Sequence, residues 1–297
     1  MAALQEQSSE RVSVSLKALI NLAKSATMLK LHRSKIRSDR SGQYLSATKG
    51  RGMEFDEARL YQPGDDIRAI DWRVTARRGK THTKLYREER ERPVFISVDY
   101  RASMAFATRG CFKSVQAAKI AALLAWKAEQ HGDRIGGQLF SEKGMQELKP
   151  QGGKHAVLRF LNALVSPSFS GQSAMSLEQL LNRLAQHAGH GSLLYIISDF
   201  RGLSDKSESQ LSKLARHSEV VLVHIYDPLE SNLPERGRYC FTDGERDVTV
   251  DTADKPVIVD YQRQFQARQA LLQKFSRKWR LRLINCATDD DPLEVIR

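Results

Sequence analysis

An α/β fold built on a doubly wound, mostly parallel sheet is what this sequence predicts, and three observations carry that expectation. From Pro93 onward, short apolar runs alternate with longer stretches of helical periodicity. The runs VFISVD, SLLYIISD and EVVLVHIYD are nearly continuous in apolar character and lack the alternation of a half-exposed strand, so both faces of their sheet are covered. Each interval between them holds a helical segment, which is the crossover that parallel neighbours require.

In chain order, Leu16, Leu19, Ile20, Ala23, Ala26 and Leu29 recur at helical spacing between about Val12 and Leu31, interrupted by Lys17, Lys24 and Lys30. This marks an amphipathic N-terminal helix within residues 1–32. Residues 33–92 are punctuated by glycines and aromatics, with Pro63-Gly64 a turn signal and Thr81 to Arg87 alternating, so short strands and turns are expected there. The α/β domain spans 93–297. It has strands at 94–99, 134–140, 192–199, 219–227 and 281–286, and helices at 113–130, 155–164, 177–188, 207–217 and 257–279. RYCFT and RDVTVDT flank Asp243-Gly244, a hairpin dipeptide, so a β-hairpin at 229–252 interrupts the alternation.

The composition, 41% hydrophobic and 28% charged, is that of a globular protein. Cys111, Cys240 and Cys286 are too scattered for a disulfide framework, and no apolar stretch reaches the roughly 20 residues that span a bilayer. A cytoplasmic location is expected, with membrane association through the N-terminal helix as the other option. The net charge is +12, and Asp39 is the only acid among ten bases from Arg11 to Arg51. Such a face can attract nucleic acid, anionic lipid or an acidic protein, or simply solvate the chain, and no basic-aromatic or helix-turn-helix signature favours nucleic acid.

Ligands of an open parallel sheet bind beyond the carboxyl ends of its strands. Two apolar strands end in Asp99 and Asp199, and Ser103 stands four residues past the first. Two carboxylates and a hydroxyl on one rim suit magnesium, whereas a single strand-terminal aspartate merely caps a turn. Neither a phosphate-binding GxxxxGK[ST] loop nor a HExxH pair is present. REERER (87–92) and the aspartates at 289–291 read as solvated charge, and Asp65 and Asp66 as organisers of a turn that hold nearby arginines.

The Asp-x-x-x-Ser turn at Asp99 and the later ISDF resemble the von Willebrand factor A fold, whose metal-ion-dependent adhesion site begins Asp-x-Ser-x-Ser. The upstream segment GMEFDEARLYQPGDDIRAIDWRVTARRGKTHTKLYREERE is similar to the bacterial proteins of domain of unknown function 58. The signature falls on Tyr61, Pro63, Gly64, Asp65, Asp66, Arg68, Ile70, Asp71, Trp72, Ala76 and Arg77, and DPLE from Asp227 extends the likeness. The resemblance implies a non-enzymatic interaction module or adaptor. Its partner would be a MoxR-type AAA+ ATPase, acting in the assembly, activation or stress protection of a protein complex.

The chain departs from the adhesion pattern at Arg101, where a serine ligand is expected. A guanidinium cannot ligate a metal and repels one, so Arg101 is expected to bridge Asp99 and Asp199 in the ion's place. Serine at this position should then restore ion binding. The third loop offers Ser173 and Ser176 where a threonine would complete the site. The expected partner-binding rim is Asp99, Arg101, Ser103, Ser173, Ser176 and Asp199, without a cofactor. If an ion binds after all, it is magnesium on Asp99, Ser103 and Asp199. A metal-dependent hydrolase using these aspartates, with Asp65 or Asp66 as base, is the competing reading.

Overall fold

A computed structural model describes residues 10–29, 53–88, 93–170, 176–187, 191–234, 237–242, 247–252 and 255–297. The chain forms two compact units, residues 35–91 and the remainder, 1–34 with 92–297.

The larger unit is a six-stranded sheet. Its strands are β3 (Pro93–Asp99), β4 (Arg134–Ser141), β5 (Gly144–Gln151), β6 (Leu193–Ser198), β7 (Glu219–Tyr226) and β10 (Arg282–Ala287), in the spatial order β10-β7-β6-β3-β4-β5. All neighbours are parallel except β5, which pairs antiparallel with β4. The chain leaves β3 toward β4 on one side and later returns through β6 on the other, so β3 and β6 flank the point where strand order reverses.

One sheet face packs on α3 (Lys113–Gln130), α4 (Lys154–Val165), the N-terminal helix α1 (Leu16–Ala26) and the short α9 (Pro292–Ile296). The other face is covered by α5 (Leu177–His187), α6 (Asp205–His217) and α8 (Lys255–Trp279). Helix α3 is buried on nearly every side, because the sheet lies beneath it and α1 lies over it. The apolar stripe of α1 is spent on that contact: Leu19 and Ala26 are buried, and the Trp126 indole N–H donates to the Leu19 carbonyl at 3.0 Å. The stripe is therefore no free membrane-binding face, although Ile20, counted in it, is exposed. Helix α1 is also shorter than its periodicity predicts, and Leu31 lies outside the described residues, as does most of the basic stretch to Arg51.

The edge strand β5 was not expected, because its alternating polar residues hide a strand whose outer edge meets only a single bridge, Met145 to Ser170, among the described residues. The hairpin is present as β8 (Arg238–Thr242) and β9 (Asp247–Asp251), after a one-turn helix α7 (Pro228–Ser231). The terminal aspartates do more than solvate the chain end, since Asp291 caps α9 and the Asp290 carboxylate accepts from the Ala287 N–H.

The smaller unit pairs β1 (Met53–Leu60) with β2 (His82–Glu88) and, contrary to the expectation of strands and turns alone, contains a helix, α2 (Trp72–Arg78). Asp71 caps that helix by accepting from the Arg73 and Val74 N–H groups, and Gly79 ends it at φ 67°.

Candidate functional site

The carboxyl ends of β3 and β6 bring Asp99 and Asp199 onto one rim, as the expected parallel pairing requires: Val98 of β3 lies opposite Ile197 of β6. Both carboxylates are fully buried. Burial of an ionised carboxylate is tolerated only with opposite charge and hydrogen bonds around it, and this rim supplies both.

Arg101 closes a fork on Asp99. Its Nη2 lies 2.7 Å from Oδ2 and its Nε 3.1 Å from both oxygens, while its backbone N–H donates to Oδ1 at 2.9 Å. The same Nη2 lies 3.5 Å from Asp199 Oδ1, and Nη1 donates to the Arg201 carbonyl at 2.9 Å. Arg101 thus bridges the two aspartates, and its guanidinium also stands over the Phe140 ring. The Ser198 hydroxyl donates to Asp99 Oδ2 at 2.6 Å and accepts from the Phe200 N–H at 2.8 Å, and Phe200 itself has a left-handed backbone (φ 53°).

A second cation was invisible in the sequence. Lys113, the first residue of α3, is wholly buried, with Nζ 3.2 Å from Asp199 Oδ2 and 2.9 Å from Glu230 Oε1. Arg201 closes the network from outside, with Nη2 2.7 Å from the same Glu230 oxygen and Nε 3.5 Å from Asp199. Glu230 is held in turn by the Asp227 N–H, and Asp227 accepts from the Thr108 and Thr288 hydroxyls. A cation in the first turn of a helix opposes the helix dipole, so Lys113 is placed there for its carboxylates rather than for α3.

The two aspartates respond differently to this environment. Burial pushes the Asp99 carboxyl up, against the opposing pull of Arg101 and Ser198. Burial acts on Asp199 in the same sense, but the Lys113 ammonium, the Arg201 N–H, the Ser103 hydroxyl and Arg101 outweigh it and hold that carboxyl at about 2.

Magnesium does not fit these residues. It demands a near-octahedral shell of oxygens, whereas here the two carboxylates already face two internal cations, and among the described residues no acidic, histidine or cysteine cluster suits a metal. Arg101→Ser would still leave the Lys113 ammonium on Asp199, so the expected restoration by that single change does not follow from the geometry. Of the other rim residues, Ser103 bonds Asp199. Ser176 instead caps α5, exchanging hydrogen bonds with Gln179, and Ser173 lies outside the described residues.

In the signature segment, Asp65 accepts from the Gln62 N–H and pairs with Arg59 at 2.6 Å, and Asp66 caps the turn at Ile67–Ala69. Both are turn organisers, Asp65 with the partner Arg59. Arg68 and Arg77 are exposed, and so is Trp72.

Uncharacterised proteins of Mycobacterium tuberculosis and Mycobacterium bovis are each 30% identical over 263 residues, spanning 86% of this chain and 81% of the relative. Similar solved structures include an aerotolerance-related membrane protein from Bacteroides fragilis (14% identity, 69% of this chain and 94% of that one, TM-score 0.48). Another is a von Willebrand factor type A protein from Catenulispora acidiphila (12% identity, 49% and 35%, TM-score 0.36). A sequence-family model described as protein of unknown function DUF58 matches residues 57–271, and the chain belongs to that family.

Proposed function

We propose that this protein is a non-enzymatic interaction module whose strand-end rim works without a divalent ion. One observation supports this above the others: Asp99 and Asp199 are neutralised from within by Arg101 and Lys113. Carboxylates so engaged leave no free base and no open ligand position for hydrolysis. A rim that holds a magnesium ion takes its last ligand from a partner, whereas here Arg201 stands half exposed at the mouth of the network. A MoxR-type AAA+ ATPase is the partner we assign to this rim, from the family resemblance.

Co-purification tests the reading. A AAA+ ATPase should be recovered with the wild-type chain equally in magnesium and in chelator, and lost with Arg101→Ala or Arg201→Glu chains whose circular dichroism is unchanged. Recovery that needs magnesium, or that neither folded variant weakens, sinks it.

A further inference from the structure

The smaller unit buries Asp71 but exposes other parts of its signature and the apolar residues beside it. Trp72 is 68% exposed, Ile67 66% and Leu60 53%. One strand residue ties them to a single end of the unit: Leu60 pairs with His82 in the β1–β2 ladder, and the His82 carbonyl accepts from the N–H of Asp71, the cap that precedes Trp72. Ile67 begins the turn leading into that cap. Along α2, Trp72, Arg73 and Arg77 are exposed while Val74 and Thr75 are half-buried, so the indole and two guanidiniums share the outward face. Neither Arg73 nor Arg77 has an ion-pair partner among the described residues.

We infer that this face docks an acidic protein segment carrying an apolar anchor. An exposed tryptophan flanked by aliphatics loses water-facing apolar surface on docking, and Trp and Arg are the residue types that dominate binding energy at protein interfaces. The guanidiniums of Arg73 and Arg77, without an ion-pair partner among the described residues, set the partner's sign. Nucleic acid is a poorer occupant, because Leu60 and Ile67 offer nothing to phosphate and the acids and bases of residues 53–88 nearly cancel. This surface belongs to the smaller unit and the strand-end rim to the larger one, and either reading can fail without the other.

Titration of the full chain, followed by tryptophan emission and acrylamide quenching, tests it. The probe is a synthetic amphipathic peptide with Leu and Phe on one face and Glu and Asp on the other. The expected result is a blue-shifted, less quenchable emission that Trp72→Phe abolishes, with affinity reduced roughly tenfold or more by Arg73→Glu/Arg77→Glu and by Ile67→Ser. The same peptide with Lys in place of its acids should not bind. The inference is overturned if the acidic peptide does not bind, if the variants bind it unchanged, or if only phosphatidylglycerol vesicles or a single-stranded oligonucleotide give the Trp72-dependent signal.

Discussion

Replacing Lys113 by Met tests the network at its most buried point. Methionine keeps much of the length of the side chain and removes its charge, leaving the carboxylates of Asp199 and Glu230 without their internal cation. Arg201 touches both but is half exposed and compensates only in part. Breaking a buried ion pair by removing one partner costs about 3–5 kcal/mol. For a unit of this size each kcal/mol shifts the melting temperature by about 2–4 °C, so Lys113→Met should melt about 6–20 °C lower. Urea unfolding by circular dichroism should agree. Adding Asp199→Asn removes the stranded charge, and the double variant should be less destabilised than the sum of the two singles.

Acid sensitivity gives the same test a sign. Asp199 is held at about 2, below its unfolded value near 3.9, so its stabilisation is complete above pH 4 and is lost as pH falls from about 4 toward 2. Without Lys113 the folded value rises toward or past the unfolded one, so the loss of stability between pH 4 and 2 should shrink. A melting temperature within about 2 °C of wild type, strict additivity in the double variant, or an undiminished acid loss would refute the assignment of Lys113 as an internal counter-ion.

Two further outcomes follow from the core. Burial, chiefly, holds the His224 imidazole at about 4, against a hydrogen bond to Asn285, so the folded state loses stability as pH falls from about 6.5 to 4. His224→Gln should flatten that slope, worth roughly 3 kcal/mol across the interval, and an unchanged slope in pH-dependent urea midpoints would count against it. At Gly137 an added Cβ would meet the Phe160 ring at 2.5 Å and the Ile96 carbonyl at 2.7 Å. Gly137→Ala should therefore cost about 1–3 kcal/mol in urea unfolding, and an unaltered midpoint would count against this close packing of Gly137 on Phe160 and the Ile96 carbonyl.

The α/β unit was legible because its strands are buried on both faces, which leaves long apolar runs that no other element mimics. The two aspartates were legible for a related reason: a charge ending such a run must leave the sheet at its rim. Strand β5 escaped notice because an edge strand needs apolar residues on one face only, and its alternating charges read as loop. The counter-ions escaped for a different cause. Lys113 meets Asp199 across 86 residues and Glu230 across 117, and no local spacing encodes such contacts. The available sign was a lysine opening a helix with a strongly apolar middle, at the end where the dipole disfavours it. Arg101 was legible because it breaks a short pattern, and the structure adds that it shares its task with Lys113.

Calorimetric titration of magnesium into the chelator-treated wild-type chain tests most directly whether these two side chains occupy the role of a divalent ion. If they do, neither the wild type nor Arg101→Ser gives saturable heat, because Lys113 still neutralises Asp199 in that variant. A one-to-one magnesium isotherm with the wild type, abolished by Asp99→Asn, would contradict it.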